Sequence, residues 1–111
     1  MSLNNAGIVW DIPLWEKTME QIQRTIDVNF KGVFICSKYA ALEMKKAGSG
    51  VIINISSTNG IDTLSPDSTD YDATTAAVIS LTKNFATDLA PNIRVNCIAP
   101  GWVETDINSK L

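Results

Sequence analysis

Two short β-rich runs, Val51 to Ile55 and Ile93 to Ala99, stand on either side of a helical period, and that alternation leaves few architectures open. The first run is interrupted only by Asn54 and is bounded by Gly50 and the Ser56-Ser57 pair, as a strand covered on both faces of a parallel sheet would be. Between the runs, Ala77, Leu81, Phe85 and Leu89 recur four apart, which predicts a helix from Tyr71 to Ala90 closed by Pro91. The second run ends at Pro100-Gly101. Strand, helix and strand at these spacings form a right-handed crossover unit, so the class is α/β. Two strands alone are rarely stable in water, and the sheet reads as cut from a larger, doubly wound one.

A second helical pattern lies upstream. Pro13, with Asp11 before it, suits a first helical turn, and Thr18 with Gln21 fits a capping box. Met19, Ile22, Ile26, Phe30 and Val33 then recur at steps of three and four, predicting one long amphipathic helix to Lys46 that Gly48 ends in a left-handed turn. Residues 58 to 70 carry turn chemistry without a period. Met1 to Leu3 run abruptly into Asn4-Asn5-Ala6-Gly7, with no strand expected to lead in. Residues 1–3 are therefore read as an expression leader and 4–111 as a single unit.

Composition excludes more than it selects. With 9 Lys and Arg scattered against 12 Asp and Glu, a net charge of −3 and a pI near 4.7, the chain offers no basic face for nucleic acid. No apolar run reaches the roughly 20 residues of a membrane span and no secretory pattern opens the chain, so a cytoplasmic protein is expected. The two cysteines, Cys36 and Cys97, are far apart and suggest no disulfide. Histidine is absent, which removes Ser-His and Cys-His nucleophiles and most zinc sites, and no metal site is expected. A general acid or base has to be Tyr, Lys, Asp, Glu or Cys.

Four landmarks follow one another: Asn4-Asn5-Ala6-Gly7; Val28-Asn29-Phe30-Lys31-Gly32; Ile55-Ser56-Ser57 with Tyr71 downstream; and Ala99-Pro100-Gly101-Trp102-Val103-Glu104-Thr105. Singly, each is more often packing or a turn. In this order and spacing they resemble the short-chain dehydrogenase/reductase family over essentially the whole chain after Leu3, and the last stretch is closest to acyl-carrier-protein reductases and sugar dehydrogenases. The resemblance implies the C-terminal half of a Rossmann-like NAD(P)-binding domain. It also implies roles. Asn5, Ala6 and Gly7 would let the backbone approach the cofactor's adenosine ribose, and Pro100, Gly101, Val103 and Thr105 would hold its nicotinamide and phosphate side. Asn29 would organise an active-site water, Ser57 would hydrogen-bond the substrate oxygen, and Tyr71 would be the general acid/base.

Two departures from the family pattern bear on activity. A phenol is a reluctant base at neutral pH, and the family tunes it with a lysine one helical turn onward. Here that position is Thr75, whose hydroxyl carries no charge. Lys83, twelve residues beyond Tyr71, would stand about 18 Å away along a helix rising 1.5 Å per residue. The second departure is that the strand, glycine-rich turn and helix N-terminus that bind pyrophosphate in the family have no counterpart in the sequence.

Two readings result. In one, the chain is a fragment of an NAD(P)-dependent oxidoreductase that moves hydride between nicotinamide and a carbonyl or alcohol, is inactive as it stands and binds neither NAD nor NADP by itself. In the other, it is a non-catalytic module that self-associates through helices 18–46 and 71–90, which build the main subunit interface in the family. For the chain as given the residues favour the second, and the first describes its ancestry.

Overall fold

A computed structural model describes residues 1–5, 12–56 and 67–98 of the chain. Strand β1 (Ser2–Asn5) is followed by a 3-10 turn (Leu14–Glu16), helix α1 (Met19–Ile26), a π-helical segment (Asp27–Lys31) and helix α2 (Gly32–Ala47). Strand β2 (Gly50–Ile55), helix α3 (Thr69–Leu89) and strand β3 (Ile93–Ile98) complete the order. The sheet is β1-β2-β3, all parallel, with Asn5 opposite Ile55 and Ile55 opposite Ile98. All three strands therefore end on one edge, where open α/β sheets place their ligands.

The expectation that no strand leads into Asn4 is corrected by β1, which makes the sheet three-stranded among the described residues. Ser-Leu-Asn-Asn has no apolar run to announce it; pairing with β2 and burial of the Asn4 side chain hold it in place. Asn4 Nδ2 donates to Asn54 Oδ1 at 3.0 Å and to Ser37 Oγ at 3.2 Å, and Asn54 Nδ2 donates to Thr82 Oγ1 at 3.1 Å. This polar layer ties β1, β2, α2 and α3 together. It lies between two apolar clusters, one of Val33, Val78, Ile79 and Cys97, the other of Ala41, Ile52, Ile93 and Val95. Buried amides of this kind are costly unless bonded, and these are.

Local sequence accounts for the helix limits. Thr18 Oγ1 accepts from the Gln21 N–H while Gln21 Oε1 accepts from the Thr18 N–H, completing the expected capping box. Gly48, at φ +91°, ends α2 in the left-handed turn that glycine adopts without a Cβ penalty. Between α1 and α2 the backbone widens: the Gly32 N–H reaches the Asp27 carbonyl, five residues back.

The inward face of this long helix differs from the predicted stripe. Thr25, Asn29, Val33, Ser37 and Ala41, spaced four apart, are buried, whereas Met19 is 77% and Ile26 38% exposed. Small and hydrogen-bonded side chains let the helix approach the sheet and α3, and the larger apolar residues lie along its flank. The second strand run alternates, with Arg94 and Asn96 exposed and Ile93, Val95 and Cys97 buried under the helices.

Candidate active site

Helix α3 places Tyr71 in its first turn, half-buried, and Thr75 one turn further on, buried at 6% exposure. The Thr75 hydroxyl donates to the Asp72 carbonyl of its own helix at 2.8 Å, so its side chain is turned onto the backbone. The Thr75 carbonyl accepts from Ser56 Oγ at 2.8 Å. That bond joins the exit of β2, one residue before Ser57, to the turn that carries Tyr71.

Asn29 sits within the π-helical segment, buried at 3% exposure, and its Nδ2 donates to Thr74 Oγ1 at 3.4 Å. Thr74 Oγ1 in turn donates to the Tyr71 carbonyl at 2.9 Å. The widened turn thus brings Asn29 against the Tyr71–Thr75 turn through one intervening side chain. Asn5 closes β1 on the same sheet edge as Ile55 and Ile98. Ser57, Ala6, Gly7, Pro100, Gly101, Val103 and Thr105 lie outside the described residues.

One cluster had no signal in the sequence. Lys17, in the extended link before α1, pairs with Asp70, the residue before Tyr71, and their side chains are 1% and 5% exposed. The second Asp70 oxygen accepts from Thr25 Oγ1 at 2.7 Å. Burial works to raise the Asp70 carboxyl, but hydrogen bonds from Lys17 and Thr25 and the Lys17 charge outweigh it and hold the group below its ordinary value. Elsewhere, burial pushes the Cys97 thiol up, partly offset by the Thr82 hydroxyl, so it serves as a small apolar residue; Cys36 is exposed. Lys83 is exposed on α3. Among the described residues no group of His, Cys, Asp and Glu could hold a metal ion, and no helix is long and apolar enough to cross a membrane.

The family model described as short chain dehydrogenase matches residues 1–111. A 3-oxoacyl-(acyl-carrier-protein) reductase of Thermotoga maritima is 44% identical over 110 residues, which cover 98% of this chain and 44% of the relative. A solved structure of 4-hydroxyisoleucine dehydrogenase, complexed with NADH and succinate, matches with a TM-score of 0.85 at 34% identity over 93% of this chain and 51% of that one. Gluconate 5-dehydrogenase from Burkholderia cenocepacia, in complex with NADP and tartrate, matches with a TM-score of 0.84 at 34% identity over 100% of this chain and 44% of that one. The chain spans about half or less of the length of these relatives. The family-model match over the whole chain, the relative's identity and the parallel α/β fold agree: the chain belongs to the short-chain dehydrogenase family.

Proposed function

We propose that this chain is the catalytic half of an NAD- or NADP-dependent oxidoreductase acting on a small carbonyl or alcohol, slowed or silenced by threonine at position 75. The observation that carries this reading is the Ser56 Oγ bond to the Thr75 carbonyl at 2.8 Å, which holds the chain leading into Ser57 against the turn of Tyr71. In this reading Tyr71 gives a proton to, or takes one from, the substrate oxygen, Ser57 hydrogen-bonds that oxygen, and Asn29 orders the turn from the helix behind. The nicotinamide, when bound, supplies or accepts the hydride. The NADH and NADP named with the two solved relatives support the cofactor class and leave the choice between them open.

The described residues fit such a cofactor in one respect and depart in another. The strand ends at Asn5, Ile55 and Ile98 lie in register on one edge, as a dinucleotide site in a parallel sheet requires. Asn5, Ala6 and Gly7 on one side and Pro100, Gly101, Val103 and Thr105 on the other would flank it. The departure is Thr75, whose hydroxyl is engaged by Asp72 and offers no cation to the ribose or to Tyr71.

Steady-state rates of a full-length form of the protein, carrying the glycine-rich cofactor segment of the family, and of its Thr75→Lys variant, with small carbonyl substrates and either reduced cofactor, test the reading. The lysine is expected to raise turnover on the order of 100-fold, the scale of one acid/base contribution. Equal rates would show that Thr75 is no defect, and activity retained in Tyr71→Phe would remove Tyr71 from the proton transfer.

A second reading, self-association through α2 and α3, rests on a separate observation. Phe34, Ile35, Tyr39 and Leu42 on α2 are 41%, 44%, 61% and 46% exposed. Two open grooves, of about 250 and 340 Å³, run between α2 and α3 beside them.

A further inference from the structure

The Lys17–Asp70 pair is a buried charge pair where stability alone requires none, since well-packed apolar side chains of like volume commonly serve as well. What charges add is direction. Asp70 directly precedes Tyr71 in the first turn of α3, where a helix has unmet backbone donors and is least held by its own ladder. One carboxylate oxygen faces Lys17 Nζ and the other takes Thr25 Oγ1 at 2.7 Å, so the group is fixed in both place and rotation.

The pairing has a register. Thr25 and Asn29 lie one turn apart on one helix, and Asp70 and Thr74 lie one turn apart on the other. Thr25 bonds Asp70 at 2.7 Å and Asn29 bonds Thr74 at 3.4 Å, so the two links bracket Tyr71 from either side. The Thr75 side chain adds no link to another element, because its hydroxyl returns to Asp72. We propose that Lys17, Asp70 and Thr25 are positioning residues, a clamp that sets the orientation of the Tyr71 ring. The clamp rests on the reading of Tyr71 as the proton-transfer group, but its test does not require turnover.

The sequence has two tyrosines, Tyr39 and Tyr71, and Tyr39 is 61% exposed on α2. In the full chain carrying Tyr39→Phe, incorporated 3-fluorotyrosine reports on Tyr71 alone by fluorine NMR. The expected spectrum is narrow. Lys17→Met with Asp70→Asn, which removes both charges together and strands neither, is expected to shift and broaden the signal beyond its parent width while far-ultraviolet circular dichroism stays unchanged. Thr25→Val keeps the ion pair and so keeps the fold wherever the double variant loses it; it is expected to move the signal in the same direction by less. A Tyr71 signal unchanged in Thr25→Val, or in a folded double variant, overturns the clamp. A parallel assay in a full-length Thr75→Lys background, with the family's glycine-rich cofactor segment present, separates the two claims. There the clamp variants are expected to lower kcat with little change in the KM for cofactor, whereas a Thr75→Lys protein without turnover refutes the oxidoreductase reading and leaves the fluorine result to decide the clamp.

Discussion

Position 75 shows how a single side chain can be structurally at ease and chemically displaced. Threonine there is buried and satisfied, its hydroxyl 2.8 Å from the Asp72 carbonyl, so nothing in the packing asks for a lysine. This departure was legible in the sequence because it depends on a spacing of four within one helix. The Lys17–Asp70 pair was not, because its partners are 53 residues apart and an aspartate in a first helical turn already has a local reason to be there. Its pH behaviour is predictable. Asp70 has a folded-state value below its ordinary 3.8, so its stabilising contribution is full above that value and is lost as pH falls through it and then through the lower folded value. Urea midpoints taken from about pH 6 down to about pH 2 should therefore fall more steeply for the parent than for Lys17→Met with Asp70→Asn. Parallel curves would mean that Asp70 contributes nothing. Lys17→Met alone leaves the carboxylate buried and unpaired, and should cost about 3–5 kcal/mol in the same measurement.

Among the elements, the helices were the more legible. The capping box at Thr18, the stop at Gly48 and the limits of α3 follow from local chemistry, and the structure places α3 at Thr69–Leu89, within two residues of the predicted span. The inward face of α1 and α2 was hidden because its residues are largely polar, and their burial is offset by partners on β1, β2 and α3 that no periodicity encodes. The turn between α2 and β2 allows two causes of glycine preference to be told apart. A Cβ at Gly48 would meet nothing within 4 Å, so Gly48→Ala should cost about 1–2 kcal/mol from its left-handed φ of +91° alone. At Gly50 a Cβ would fall 2.2 Å from Met44 Sδ and 2.7 Å from Met44 Cβ, so Gly50→Ala should cost about 1–3 kcal/mol by overpacking. Combined with Met44→Gly, which removes Sδ, Cγ and Cβ alike, the Gly50 change should become markedly less costly and the Gly48 change should simply add, as chemical denaturation of the double variants would show. Equal additivity at both sites would contradict the steric account of Gly50.

At the scale of the whole molecule, apolar surface is distributed unevenly, and this decides the expected state of assembly. One sheet face is covered by α2 and α3. The other presents Leu3 at 61% exposure with half-buried Val51, Ile53 and Ile55, interrupted by the exposed Arg94 and Asn96 of β3. Those polar residues make this face a poor self-complementary surface. The helical side is better suited: Phe30 of the π-helical segment, Phe34 of α2 and Phe85 of α3 stack edge to face, with successive centroids 6.1 and 5.4 Å apart, and the exposed Ile35, Tyr39 and Leu42 extend the patch. An isologous dimer would lay this patch on its own copy. Covering about 800 Å² of apolar surface at about 25 cal/mol per Å² would favour association by roughly 20 kcal/mol before ordering costs, enough to link folding to assembly in a sheet of three strands. The chain is therefore expected to be dimeric or larger and to lose helix signal on dilution. Sedimentation equilibrium and circular dichroism across a hundredfold dilution measure both, and Phe34→Glu should move the transition to higher concentration by charging the centre of the patch. A well-folded monomer at the lowest concentration, or an unchanged transition in Phe34→Glu, would place the interface elsewhere or remove it.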